Sequence, residues 1–231
     1  MRILVVTDAW LPQVNGVVRT YQTLARTLGE IGHQVVFVTP QDFRTVACPT
    51  YPEIRLAVLP GRKLGRMIAD AQPAAIHIAT EGPLGLSARC FCLKRGLPFT
   101  TSFHTKFPEY VHARSRLPVR WGYAAMRRFH GPSQALMVAT QGVEDELAAW
   151  GLGRIRRWTR GVDTELFRPR DKGFLDLPRP IWLYVGRVAV EKNIEAFLAF
   201  DLPGTKLVVG DGPQRALLAK RYPEAVFAGA R

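Results

Sequence analysis

Short runs of β-branched and aliphatic residues alternate with amphipathic stretches along most of the chain, and this rhythm constrains the fold more than any single motif. Ile3 to Val6 is an apolar run that opens on a loop, Thr7 to Asn15. From Gly16 onward Val17, Tyr21, Leu24 and Leu28 recur at three- and four-residue steps, the signature of a helix with one buried face. Gly32 stops that helix, and Val35 to Val38 is the next β-branched run. Further strands are predicted at Ile54 to Leu59, Ala75 to Ala79, Phe99 to Phe103 and Ala135 to Ala139, with helices such as Leu84 to Lys94 and Val119 to Phe129 between them. Continuously apolar strands separated by helices predict a parallel sheet covered on both faces, an open α/β domain. Ligands of such sheets bind outside the carboxyl ends of the strands, so the loops after the strands are where functional residues are to be sought.

Between Arg160 and Pro180 the rhythm lapses into charged sequence with Pro169, Pro178 and Pro180, as in an interdomain linker. It then restarts with strands at Ile181 to Val185, Lys206 to Val209 and Ala225 to Phe227, and helices at Glu191 to Phe200 and Pro213 to Lys220. The expected organisation is a Rossmann-like domain over 1–165, a linker over 166–180 and a partial second α/β domain over 181–231. Three strands and two helices cover both faces of a parallel sheet poorly. The chain is therefore expected to be cut short within its second domain.

Charge narrows the partners. The 231 residues carry 32 Lys and Arg against 19 Asp and Glu, a formal net charge of +13. An excess of that size predicts anionic company: nucleotide phosphates, nucleic acid or an acidic membrane face. Nucleic acid is the weakest of these, because the arginines are not interleaved with exposed aromatics as in a recognised module. Arg114, Arg116, Arg120, Arg127 and Arg128 fall in a stretch with no acid between Glu109 and Glu144. On a helix there, Val119, Trp121, Ala125 and Phe129 supply apolar neighbours while Arg120, Arg127 and Arg128 lie elsewhere on the surface. A basic amphipathic helix of this kind suits an anionic membrane face. The plainer alternative is a surface helix whose apolar stripe packs on its own sheet. The three cysteines fit neither a disulfide framework nor a zinc spacing, and a reducing cytoplasm is expected. The apolar run at the N-terminus is too short for a signal peptide, and no stretch approaches the roughly 20 residues that span a bilayer, so any membrane contact is expected to be peripheral.

Candidate chemistry lies in the loops after strands. Arg187 follows directly on Val185-Gly186, and Lys192 is placed in the first turn of the next helix. Two cations flanking a helix N-terminus suit a diphosphate, since free N–H groups and the helix dipole add to the side-chain charge. The bland alternative is a solvated strand–helix loop. Gly212, in Val209-Gly210-Asp211-Gly212-Pro213, allows either close backbone approach to a ligand or a tight turn. No G-x-G-x-x-G or P-loop pattern is present. In the first half the loop after the first strand holds Asp8, Trp10, Pro12 and Asn15-Gly16. Asn15 is an N-cap candidate, and Gly16 leaves the helix start open to a phosphate. His104, at the end of Phe99 to Phe103 and followed by Thr105-Lys106, is placed to hydrogen-bond a sugar or to act in proton transfer. Glu81 sits similarly at a strand end, where it can serve a helix dipole.

Taken in order, Asn15-Gly16-Val17-Val18, His104-Thr105, Arg160-Gly161-Val162-Asp163 with Phe167 and Pro169, Val185-Gly186-Arg187 with Glu191-Lys192-Asn193, and Val209-Gly210-Asp211-Gly212-Pro213 resemble the motifs of family 4 glycosyltransferases, retaining enzymes of the GT-B fold. The pairing of Asn15-Gly16-Val17-Val18-Arg19-Thr20 with Ser102-Phe103-His104-Thr105 is most similar to the bacterial branch that adds sugars to membrane lipids such as diacylglycerol or phosphatidylinositol. The resemblance implies two Rossmann-like domains facing each other across a cleft, with a UDP- or GDP-sugar donor held mainly by the second. It assigns Arg187 and Lys192 to the leaving diphosphate, Gly16 to the approach of the first domain, and His104 to contact with the transferred sugar. Asp8, Asn15, Lys106 and Tyr110 are acceptor-side candidates, and Arg120, Trp121, Arg127 and Arg128 are candidates for membrane contact. Preorganised cations favour the charge that builds on a departing diphosphate, so no divalent metal or other cofactor is expected to be essential. Retention is expected by same-face attack, without a covalent enzyme nucleophile. The family's Glu-x7-Glu segment, whose carboxylates hold the donor sugar and ribose, does not occur before the chain ends. The chain by itself is therefore expected to be inactive or impaired. The rival expectations are a sugar-nucleotide 2-epimerase of the same fold and a non-catalytic module that docks on a membrane or partner. The expected place is the cytoplasm, on the inner face of the cell membrane.

Overall fold

A computed structural model describes residues 1–13, 15–48 and 51–231, with the backbone alone for residues 51–53, 113, 114 and 191. The side chains of Arg114 and Glu191 thus lie outside the described residues. Two compact units divide the chain, Met1–Val162 and Asp163–Arg231. The break falls inside Arg160-Gly161-Val162-Asp163, ahead of the boundary expected at residue 165, because the chain has no strand or helix after Arg157 until Ile181.

The first unit runs β1 (Arg2–Val6), α1 (Gly16–Glu30), β2 (Gln34–Val38), β3 (Thr45–Cys48), β4 (Tyr51–Ala57), α2 (Gly61–Ala71), β5 (Ala75–Ile78), α3 (Pro83–Arg95), β6 (Thr100–Ser102), α4 (Phe107–Ser115), α5 (Val119–His130), β7 (Leu136–Val138), α6 (Gln141–Ala149) and β8 (Ile155–Arg157). Six of the strands form one parallel sheet in the order β2-β1-β5-β6-β7-β8. Residues alternate between its faces. Leu4 and Val6 of β1 join Ile76, Ile78, Leu64, Ile68, Leu84 and Ala88 on one side, while Val5 meets Tyr21 and Ala79 on the other. Both faces are therefore covered, as continuously apolar strands require.

The run from Ile54 to Leu59 is a correction. It does not enter the parallel sheet but pairs β4 antiparallel with β3 in a separate two-stranded ribbon. Arg55 interrupts its apolar pattern and donates to the Thr45 carbonyl across the ribbon at 3.0 Å. Leu59 ends it with φ 47° and 93% exposure.

In the second unit β9 (Ile181–Val185), α7 (Ile194–Ala199), β10 (Thr205–Val209), α8 (Arg215–Arg221) and β11 (Val226–Gly229) make a three-stranded parallel sheet in the order β11-β10-β9. Val208 packs with Val188, Ile194, Leu198 and Leu218, and Tyr184 and Phe227 lie against the same cluster. On the alternate residues of β9, Leu183 and Val185 are 57% and 68% exposed. Gly210 has φ +146°, and a Cβ there would come within 1.8 Å of the Gly186 carbonyl oxygen. At Gly212 a Cβ would stand 2.3 Å from the Val188 carbonyl oxygen. Of the two readings left open for Gly212, the structure shows a tight turn in which the loops after β9 and β10 press together.

Candidate functional site

The N-terminus of α1 is held as its sequence implies. Asn15 Oδ1 accepts the backbone N–H groups of Val17 and Val18, both at 3.0 Å, satisfying two of the donors a helix start leaves without partners. Gly16 keeps the first turn bare; a Cβ there would lie 3.6 Å from Nη1 of Arg160, which arrives from the loop after β8. Next to it, one turn into α1, the buried Tyr21 reaches under the carboxyl ends of β5 and β6.

Six polar side chains from four separate stretches of the sequence meet at that point. Tyr21 Oη lies 2.8 Å from His77 Nε2, 2.8 Å from Ser102 Oγ and 3.0 Å from His104 Nε2. Ser102 Oγ is 3.0 Å from each of the same two ring nitrogens. His77 Nδ1 continues to Thr100 Oγ1 at 2.8 Å, and Arg160 Nη2 donates to His104 Nδ1 at 2.9 Å. The Trp158 ring flanks Tyr21, His77 and His104 with centroids 6.0 to 6.5 Å away. Burial holds the His104 pKa down to about 4, helped by the charge of Arg160, and holds His77 down to about 3, helped by His104. Burial likewise raises the Tyr21 hydroxyl above its ordinary value. At neutral pH both rings are uncharged, so His104 does not offer an imidazolium proton. Its expected place at the strand end is where the structure puts it; a role as a cationic acid is not available there.

The acceptor-side candidates divide. Asp8 is buried, and its carboxylate is engaged by Thr80 Oγ1 at 2.9 Å and by the N–H groups of Leu84 and Gly85 at 2.9 and 3.3 Å. It ties the end of β1 to the start of α3. Burial raises its pKa against the pull of those hydrogen bonds. Asn15 is occupied as a cap. Lys106 pairs with Glu146 of α6. The single hydroxyl hydrogen of Tyr123 is shared between Oε1 of Glu109 at 2.5 Å and Oε1 of Glu146 at 3.0 Å, linking α5 to α4 and α6. Tyr110 is exposed on α4 and takes no part in the network.

The face of α5 differs from the expected one. Tyr123, Phe129 and His130 are buried, with Val119 and Met126 packed beside them, whereas Trp121 is 59% exposed and Ala125 is also exposed. The stripe that packs on the sheet is thus one built on Tyr123. Trp121 looks outward with Arg120, Arg127 and Arg128; Phe107, Tyr110 and Val111 of α4 and Leu117 between the helices are exposed as well. Arg127 spends one donor on the Trp150 carbonyl oxygen at 2.7 Å.

In the second unit Arg187 is half-buried on the loop after β9, where its carbonyl oxygen accepts from Tyr184 Oη at 3.0 Å. Lys192 is exposed at the end of a 3-10 turn, Val190–Lys192. Asn193, in the left-handed region with φ 46°, separates that turn from α7. Lys192 therefore precedes the α-helix rather than standing in its first turn. Among the described residues no group of His, Cys, Asp and Glu side chains forms a metal site.

A parallel α/β unit with its polar residues gathered at the carboxyl ends of the strands, followed by a second parallel α/β unit, is the architecture of GT-B glycosyltransferases. The whole chain superposes on 70% of sucrose-phosphate synthase from Thermosynechococcus elongatus with a TM-score of 0.73 at 21% identity. It also superposes on 70% of Anabaena HepE, crystallised with UDP and glucose, with a TM-score of 0.64 at 11% identity. Residues 14–166 match Glycosyltransferase Family 4, and the chain belongs to that family. It is 26% identical, over its full length and 68% of the relative, to a GDP-mannose-dependent alpha-mannosyltransferase of Mycobacterium tuberculosis. Over 94% of the chain it is 27% identical to the sulfoquinovosyl transferase of Arabidopsis thaliana, of which it spans 48%. Over 95% it is 24% identical to the alpha-monoglucosyldiacylglycerol synthase of Acholeplasma laidlawii, of which it spans 66%.

Tyr21, His77, Ser102 and Arg160 are members of the site that reading the sequence does not single out. Arg160 and Ser102 stand in recognised motifs without a role, and Tyr21 and His77 look like ordinary residues of a helix and a strand.

Proposed function

We propose that the protein transfers a hexose from a nucleotide-diphosphate sugar to a membrane-lipid acceptor with retention of configuration, at the cytoplasmic face of the membrane. The observation that carries this reading is the setting of His104: a neutral ring at the carboxyl end of a central strand, beside the bare N-terminus of α1 and the Arg160 guanidinium. In this reading Gly16 gives the phosphate access to the first unit and His104 contacts the transferred sugar, while Arg187 and Lys192 neutralise the leaving diphosphate. Fixed cations do this work without a metal, because they are already in place when charge develops. Similarity to a diacylglycerol-directed synthase supports a lipid acceptor. The outward face of α5, with Trp121 beside Arg120, Arg127 and Arg128, supports contact with an anionic bilayer, each cation adding about 1 kcal/mol near the surface. No helix among the described residues is long and apolar enough to cross a membrane.

Thermal unfolding with millimolar UDP or GDP tests the donor half. A nucleotide at about 100 times its Kd stabilises the fold by about 2.7 kcal/mol, and Lys192→Ala is expected to remove most of that shift. If neither nucleotide moves the transition, the donor assignment falls. Co-sedimentation with phosphatidylglycerol vesicles tests the membrane half. Binding is expected to exceed that to phosphatidylcholine and to weaken in a Trp121→Ser, Arg128→Glu double variant; equal binding to both lipids removes the membrane face.

A further inference from the structure

The hydrogen bonds around His104 can be counted proton by proton, and the count leaves one tautomer for each of the two rings. A guanidinium only donates, so the Arg160 bond makes His104 Nδ1 an acceptor. The neutral ring then carries its proton on Nε2 and donates toward Ser102 Oγ and Tyr21 Oη. Those two hydroxyls are 2.8 Å apart and hold one proton each. One proton bridges the pair, and the other needs an acceptor. Within reach that acceptor is His77 Nε2, at 2.8 Å from Tyr21 and 3.0 Å from Ser102. His77 therefore bears its proton on Nδ1 and donates to Thr100 Oγ1. If His77 Nε2 were also a donor, a buried hydroxyl hydrogen would be left without a partner, which costs about 1–3 kcal/mol.

We propose that Arg160 is a positioning residue for His104: by donating to Nδ1 it fixes the Nε2–H tautomer and sets a single direction of hydrogen bonding through Ser102 and Tyr21 to His77 and Thr100. Tyr21, His77 and Ser102 are buried, whereas Arg160 is exposed, so the direction is imposed from the open end of the chain of bonds. Resting on the transferase reading, this makes the side of His104 that faces Arg160 a lone pair. A ligand anion that draws the guanidinium away exposes an acceptor, which recognises a sugar hydroxyl hydrogen and repels a phosphate oxygen. The titratable or charged groups facing His104 are Tyr21 from α1, His77 from β5 and Arg160 from the loop after β8; Glu81 acts on Tyr21 at longer range.

The test is long-range 1H–15N spectroscopy of the histidine-labelled chain, without nucleotide, for the wild type, Arg160→Met and Arg160→Lys, with His104→Gln for assignment. In the wild type His104 is expected as the Nε2–H tautomer and His77 as Nδ1–H, neither titrating between pH 8 and 5. In Arg160→Met the His104 signals are expected to move to a tautomer mixture and its titration midpoint to rise by a pH unit or more, while Arg160→Lys keeps the wild-type tautomer. An Nδ1–H signal for His104 in the wild type overturns the proposal, and that measurement stands even if a variant fails to fold. Unchanged tautomer and midpoint in a folded Arg160→Met overturn it as well. UDP and GDP are added in a separate arm. Tautomers as expected, with no nucleotide-induced shift anywhere, would defeat the transferase reading and leave the Arg160 assignment intact.

Discussion

The two units share one alternation of strand and helix but bury it to different depths. In the first, β1 lies between β2 and β5, and Leu4, Val5 and Val6 are all within 2% exposure because helices cover both faces. In the second, Tyr184, Val208 and Phe227 line up across the sheet and pack with residues of α7 and α8, while the alternate row, Leu183, Leu207 and Val226, leaves its two outer members exposed. An apolar strand is thus buried only as far as the chain supplies something to lie on it. Polar chemistry follows the same division. All five histidines of the chain belong to the first unit, where a closed interior can hold two of them neutral. The second unit contributes cations on an open loop.

The strongest way to break this contrast is Gly85→Ala. A Cβ on that residue of α3 would fall 1.8 Å from the Thr80 carbonyl oxygen, so the helix must move off the sheet. A loss of about 3 kcal/mol or more is expected in the first unit, read by urea unfolding with hydrogen exchange resolving the two units; a wild-type profile would show that α3 does not seat there. Leu4→Ala against Leu183→Ala sharpens the contrast. The first is expected to cost about 2–5 kcal/mol and the second within about 0.5 kcal/mol. Equal costs would mean that the open face of β9 is covered in solution.

Acid makes a third test. The pKa values of His77 and His104 are depressed in the fold, so the unfolded chain takes up their protons first. Their contribution is complete above the unfolded pKa near 6.5 and is lost as pH falls toward about 4 for His104 and about 3 for His77. The slope is up to about 1.4 kcal/mol per pH unit for each ring. The second unit, with no histidine, is expected to stay level between pH 6.5 and 5; a parallel decline in both units would trace acid sensitivity to something other than this network. The smallest effect is expected from Lys106→Ala. Its exposed pair with Glu146 is worth about 1 kcal/mol or less, so exchange should quicken in α4 while global stability barely changes. A global loss of several kcal/mol would show that α4 is integral to the core.

Strands β1, β2, β5, β7, β9 and β10 were legible because each is an apolar run long enough to be buried, and α1 because its period and its Asn15 cap agree. The β3–β4 ribbon was not, since an apolar run interrupted by Arg55 says nothing about which partner it will choose. Helix α4 was hidden for a related reason: Phe107, Tyr110 and Val111 face outward, so its apolar residues trace no buried stripe. On α5 the apolar residues allowed two stripes, and packing selected Tyr123, which lies with Phe103 and with Leu136 and Val138 of the sheet while its hydroxyl reaches the partly buried Glu109 and Glu146.

Local chemistry along the chain was enough to establish two α/β units, the cap at Asn15 and a histidine at the end of a central strand. Each depends on residues close in sequence: a period, a cap three positions from its donor, a strand and the loop it opens into. The state of that histidine is another matter. Its tautomer and charge depend on Tyr21, His77, Ser102 and Arg160, the last of them 56 residues away along the chain. Parallel pairing of β5 and β6 brings His77 beside Thr100, and packing of α1 on the sheet brings Tyr21 to both histidines. A proton's position is set by what surrounds it within 3 Å, and only folding assembles those surroundings.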